Sequence, residues 1–192
     1  MSNLYDATFH KNIQSDEIPQ AKRIAEYVHL HVKPSNIIDF GCSTGLYLQE
    51  IKQKMPPNTD LVGYEFSEDA IKHAVFDNIK QVDLTHPLVI QKKEGKTLGI
   101  CLEVLEHIDD QYWKPVLTNI TKLCDVIIFS AAHPGQGGTG HINCRPKIDW
   151  IRRFHSLGWV VDHDYSTHFI EYMKSGYHMG WLRMNVIVLV QA

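Results

Sequence analysis

Four short apolar runs punctuate the first two thirds of the chain, at Asn36–Phe40, Asp60–Tyr64, Thr97–Leu102 and Val126–Ser130. Unbroken runs of this length predict strands buried on both faces of a parallel sheet. The segments between them carry a helical period. Ser67 is placed to cap a helix over 68–79, with Ile71, Ala74, Val75 and Ile79 on one face, and Pro115 opens another that carries Leu117, Ile120 and Leu123. Pro146 and Gly158 bracket a third, with Ile148, Ile151 and Phe154 directed inward. Upstream, 19–32 reads as a helix with Ala21, Ile24, Ala25 and Val28 on one stripe, stopped by Pro34. Downstream, 158–164 and 182–190 read as two further strands joined by a loop. The alternation predicts an α/β fold, a doubly wound and mostly parallel sheet with helices on both faces. One domain then covers 19–192, preceded by an N-terminal segment, 1–18. In such a sheet ligands bind beyond the carboxyl ends of the strands, so the loops after each strand are where chemistry is expected.

Composition narrows the partners. A chain of 192 residues that is 44% hydrophobic and 21% charged supports one substantial core. Its formal charge of -3 gives no general attraction for nucleic acid or an anionic membrane. A small-molecule partner fits better. The cysteines, Cys42, Cys101, Cys124 and Cys144, form no C-x-x-C pair, which argues against a structural zinc or disulfide framework and for a reducing compartment. No signal-peptide order opens the chain, and no apolar stretch is long enough to span a bilayer, so a cytoplasmic location is expected. Twelve histidines supply many groups that titrate near neutrality.

The loop after the first strand is Asp39-Phe40-Gly41-Cys42-Ser43-Thr44-Gly45, set between a strand and a helix. Glycines there let a ligand approach the backbone, and the helix start offers unpaired N–H groups. Twenty residues beyond Gly45, Glu65 ends the second strand, where a carboxylate can accept from both hydroxyls of a ribose. A dinucleotide turn of the form G-x-G-x-x-G would need glycine where this chain has Ser43 and Leu46. A phosphate loop fails too, because the second Gly-rich stretch, 135–140, is followed by His141 rather than lysine. The surrounding acids, Asp39, Glu65, Asp83 and Glu103, suit cationic and hydroxyl-donating groups and would repel a pyrophosphate.

At these positions the sequence resembles the class I S-adenosylmethionine (SAM)-dependent methyltransferases. Asp39, Gly41 and Gly45 match their first motif, with Ser43 in place of its middle glycine and Cys42 between. Glu65-Phe66 matches the ribose-binding acid and the residue that packs on adenine. Asp83-Leu84 resembles the pair at the adenine edge, and 101–108, with Glu103, Glu106 and His107, resembles the fourth-strand signature of the small-substrate branch. The resemblance implies a seven-stranded Rossmann-like sheet of order 3-2-1-4-5-7-6, SAM as cofactor and methyl transfer to an oxygen or nitrogen of a small metabolite or sugar. It also implies that the N-terminal segment, with Tyr5 and Phe9, folds over the cofactor.

Methyl transfer is an in-line displacement that needs positioned reactants, and a histidine can take the acceptor's proton. His107, His133 and His141 fall at strand ends and are the candidate bases. The run 134–143 is expected to close over the acceptor, with Asn143 facing it and Arg145, Lys147, Arg152 and Arg153 supplying positive charge. The segment 173–181, with Tyr172, Tyr177 and Trp181, is a candidate apolar wall. Glu103, Glu106, His107 and His141 also resemble the Mg²⁺ or Mn²⁺ ligands of metal-dependent O-methyltransferases that act on ribose or catechol-type hydroxyls. Two further alternatives stay open, an NAD-type Rossmann enzyme and a non-catalytic SAM-binding module.

Overall fold

A computed structural model describes the backbone of residues 7–174 and 180–192 and the side chains of 17–174 and 180–192. Helix α1 (Ala7–Tyr27) runs on into a π-type turn over Val28–Val32 and delivers the chain to β1 (Asn36–Phe40). There follow α2 (Leu46–Lys52), β2 (Asp60–Glu65), α3 (Glu68–Lys72), β3 (Ile79–Gln81) and β4 (Thr97–Leu102). The second half contains α4 (Trp113–Thr121), β5 (Val126–Ser130), α5 (Lys147–His155), β6 (Trp159–Val161), α6 (His163–Lys174), α7 (Gly180–Asn185) and β7 (Ile187–Gln191).

The seven strands form one sheet in the order β3-β2-β1-β4-β5-β7-β6. All pairings are parallel except those of β7, which runs antiparallel to both β5 and β6. Successive side chains of a strand point to opposite faces, and two cores result. Ile37, Ile128 and Val188 pack with Ile24 of α1, Val28 of the π-type turn, Leu48 of α2 and Phe169 of α6. Their neighbours Ile38, Ile127 and Leu189 pack with Leu117 and Ile120 of α4 and Trp150 and Phe154 of α5. Burial on both faces is why β1, β4 and β5 are apolar without alternation. Among the described residues, no helix is long and apolar enough to cross a membrane.

Several expected elements differ. The first helix starts well before Pro19, which sits inside α1 and costs it one backbone hydrogen bond rather than opening it. The helix expected over 68–79 stops at Lys72, and Ile79 instead opens the edge strand β3, paired to Gly63. Only one of the three β3 positions is even half-buried, so it carries no apolar run. After Val161 the chain does not stay extended. The Asp162 carboxylate accepts from the Tyr165 N–H at 2.8 Å and starts α6, where a loop was expected. The strand expected from 182 begins at Ile187, because 180–185 form α7. In α5 the inward positions belong to Trp150 and Phe154, whose rings pack on Phe129, while Ile148 is exposed.

Candidate active site

A cavity of about 860 Å³ opens at the carboxyl ends of β1, β2 and β4, where the topology predicts it. Its floor is the turn after β1. Gly41, Ser43 and Gly45 all take left-handed backbone angles, with φ of 75°, 49° and 77°. A Cβ on Gly41 would stand 2.6 Å from Val104 Cγ2, so only glycine lets the β1 turn and the segment after β4 meet. Ser43, at the middle-glycine position, accepts the strained angle and uses it: its N–H donates to Glu65 Oε2 at 2.8 Å. The other oxygen, Oε1, accepts from the Ser67 N–H at 2.7 Å. Glu65 is thereby clamped between two loops, with one backbone donor on each oxygen. Phe66 beside it is 68% exposed and lines the cavity, an aromatic face left open for stacking.

Asp39 lies at the bottom of the cavity, and its Oδ2 has no hydrogen-bond partner among the described residues. Burial pushes its carboxyl up to about 8, and Glu65 and Glu17 nearby add to the shift. An unpaired buried acid of this kind is a place for a cationic group. Cys42 also lines the cavity, but its thiol is buried against Gly63. Asp83 and Leu84 reach the wall as expected. The Asp83 carboxylate is engaged by its own loop, accepting from the Thr85 hydroxyl at 2.6 Å and meeting His86 Nδ1 at 3.1 Å, and these bonds hold its carboxyl below the ordinary value.

The opposite wall comes from the segment after β4 and the Gly-rich loop. Glu103 has a left-handed backbone at φ 54°, and its N–H is held by the Ser130 carbonyl at 3.0 Å. Its carboxylate accepts from Gln136 Nε2 at 2.7 Å and from Asn185 Nδ2 at 3.1 and 3.3 Å. Glu106 is buried beneath. Its Oε1 accepts from the Ala132 N–H at 3.1 Å, its Oε2 has no hydrogen-bond partner among the described residues, and burial together with Glu103 raises its carboxyl. The Glu106 carbonyl also takes the N–H groups of Ile142 and Asn143, which anchors the far half of the loop.

His107 and His141 both line the cavity, with ring centroids 5.0 Å apart. His107 Nδ1 lies 3.2 Å from the Gly140 carbonyl, which can only accept, so Nδ1 carries the proton and Nε2 keeps its lone pair. Burial against the loop and the neighbouring His141 lower its pKa and favour this neutral form. The His141 ring rests against Gly138, where a Cβ would come 2.2 Å from Nε2. One donor atom each from Glu106, His107 and His141 falls within 4.8 Å of the others. His133 is not brought to this wall; its Nδ1 meets the adjacent Pro134 carbonyl.

The remaining expectations for the acceptor side are corrected by packing. Asn143 is a buried pin that donates to the carbonyls of Leu105 and Ile108. Arg145 and Arg153 pair with Asp110 at 2.6 and 2.7 Å, and Arg153 also lies over the rings of Trp113 and Trp150. Arg152 pairs with Asp149, and Lys147 reaches the Val186 carbonyl. None of these four cations lines the cavity. Trp181 does, whereas Tyr172 stacks under Arg23, 3.7 Å from its ring centre. Tyr5, Tyr177 and the Phe9 side chain lie outside the described residues. Sequence reasoning missed Gln136, Asn185, Glu17, Tyr47 and Tyr112.

Residues 38–125 match a family model described as a methyltransferase domain. By sequence, no curated protein matches the chain. Solved structures with similar folds include SAM-bound CalS10, an amino pentose methyltransferase from Micromonospora echinaspora involved in calicheamicin biosynthesis. It is 11% identical, with a TM-score of 0.70 and 100% of both chains covered. DesVI of Streptomyces venezuelae is 13% identical at a TM-score of 0.68, over 97% of this chain and 99% of that one. The magnesium protoporphyrin IX methyltransferase ChlM of Synechocystis, with S-adenosylhomocysteine (SAH) bound, is 14% identical at a TM-score of 0.66. That match covers 95% of this chain and 86% of that one. At such identities the likeness establishes the fold.

Proposed function

We propose that the chain is a class I SAM-dependent methyltransferase that moves a methyl group from SAM to an oxygen or nitrogen of a small metabolite or sugar, a reading supported by the match of residues 38–125 to a methyltransferase-domain model and by the sheet order. The observation that carries the reading is the cavity rim, where a clamped Glu65, an open Phe66 face and a buried Asp39, whose Oδ2 has no partner among the described residues, meet around a left-handed turn. This donor set fits a nucleoside with a cationic tail. When bound, SAM supplies an activated methyl group on a sulfonium. Glu65 would hold the ribose hydroxyls, Phe66 and Leu84 the base, and Asp39 and Glu103 the positive charge. His107, neutral and with Nε2 free, is the group that would take the acceptor's proton, and His141 beside it narrows the acceptor space. A sugar acceptor is favoured by the amino pentose methyltransferase among the similar folds. A cytoplasmic location belongs to the same proposal, since the four cysteines are free thiols.

One further reading has its own support. The unpartnered Oε2 of buried Glu106, with His107 and His141 within reach, is a donor set for a divalent cation. Two imidazoles and a carboxylate suit Mn²⁺ better than Mg²⁺. Bound there, the ion would acidify an acceptor hydroxyl. Titration of the ligand-free protein with Mn²⁺ tests this directly; no binding, or binding unchanged in Glu106→Ala, removes it. For the main reading, calorimetry with SAH, SAM and NAD⁺ is followed by labelled methyl transfer to amino and hydroxyl sugars. Binding of NAD⁺ alone overturns it. SAH binding with no transfer to any acceptor leaves the non-catalytic module as the better account.

A further inference from the structure

We propose that Gln136 and Asn185 are positioning residues that fix the Glu103 carboxylate, and that through Gln136 this carboxylate latches the tip of the Gly-rich loop over the cavity. The inference deepens the reading above, in which Glu103 faces the cofactor. Three side chains from three distant segments close a ring. Gln136 Nε2 donates to Glu103 Oε2 at 2.7 Å, Asn185 Nδ2 donates to both Glu103 oxygens, and the same Nδ2 donates to Gln136 Oε1 at 2.8 Å. Asn185 is buried at the end of α7, directly before β7, so its position is set by the sheet. Glu103 is equally fixed, by its left-handed backbone and its N–H to Ser130.

The loop is held unevenly. Its far half is tied down by the Ile142 and Asn143 N–H groups on the Glu106 carbonyl and by the Asn143 side chain. The tip has fewer anchors. Gly137 and Gly138 bring no side chain, and the Gly140 carbonyl bonds His107. Gln136 supplies a side chain that joins the start of the tip to β4 and α7 through Glu103 and Asn185. Whatever cationic group Glu103 receives from a cofactor then acts on the same carboxylate that closes the loop, and the two events are linked.

Hydrogen exchange at 137–140, with and without SAH, and SAH calorimetry test this on the full chain. In Q136A the tip amides should exchange faster even without ligand. Its SAH affinity should fall about tenfold, the loss expected for one charge-assisted hydrogen bond, with the melting temperature unchanged. I142A, an exposed position in the same loop, should match the wild type. Q136E, which sets a second carboxylate against Glu103, should resemble Q136A, whereas a glutamine that only fills space would tolerate this near-isosteric change. Tip exchange in Q136A or Q136E equal to the wild type overturns the latch. The methyltransferase reading fails separately, if the wild type binds no SAH.

Discussion

The two ends of the cavity are built by different means. At the β1–β2 end the backbone makes the site: left-handed Gly41, Ser43 and Gly45 form the turn, and Glu65 is fixed by two N–H groups from within 22 residues of chain. At the β4–β5 end side chains make it, with Glu103, Gln136 and Asn185 drawn together across separations of up to 82 residues. A backbone-built wall cannot be altered without moving the fold. A side-chain wall can change its contacts while the sheet stays put. The constant part of a reaction, holding the cofactor, suits the first, and the variable part, admitting an acceptor and moving its proton, suits the second.

The largest effect should fall on the side-chain end. His107→Ala should lower turnover by about 10²–10⁴, the usual worth of a general base, while SAH affinity and melting temperature stay near the wild type. A matching loss of SAH affinity would erase the division between the two ends. Next comes the backbone end, where Gly41→Val meets both a φ of 75° and the Val104 side chain. It should cost roughly 3 kcal/mol or more and lower the melting temperature by on the order of 10 °C, losing SAH binding at the same time. Glu65→Gln should weaken SAH about tenfold with little change in melting temperature, because the amide oxygen keeps one of the two backbone donors.

A further effect is a pH slope. Asp39 is raised from an ordinary carboxyl value to about 8 in the folded chain, so the folded state binds the extra proton. Its contribution to stability is full below pH 4 and is lost as pH rises towards 8. Melting of the ligand-free protein should therefore fall as pH rises across that range, and Asp39→Asn should flatten the slope. A slope unchanged in Asp39→Asn would place the proton elsewhere.

Legibility in the sequence follows the same division. Strands β1, β4 and β5 were readable to the residue because both faces are buried and their interior positions are mostly apolar. The edge strand β3 and the helices α6 and α7 were not, since partial burial leaves a mixed pattern and Asp162 starts a helix through a single cap. In the site, the turn and Glu65 were legible because local chain geometry demands them. The choice of His107 and His141 held a place at the cavity, while His133, equally near a strand end, turned aside. Arg145 and Arg153 looked like substrate cations and prove to be partners of Asp110, a pairing that no local spacing encodes. Gln136 and Asn185 were invisible for the same reason. Their role exists only once α7 and the Gly-rich loop meet.

The most direct test is calorimetric titration of the ligand-free protein with SAH, repeated in Glu65→Gln and in the presence of SAM. One SAH per chain, displaced by SAM and weakened about tenfold by Glu65→Gln, is the expected result. No heat from SAH or SAM in a folded protein, with NAD⁺ bound in the same cavity, would contradict the account.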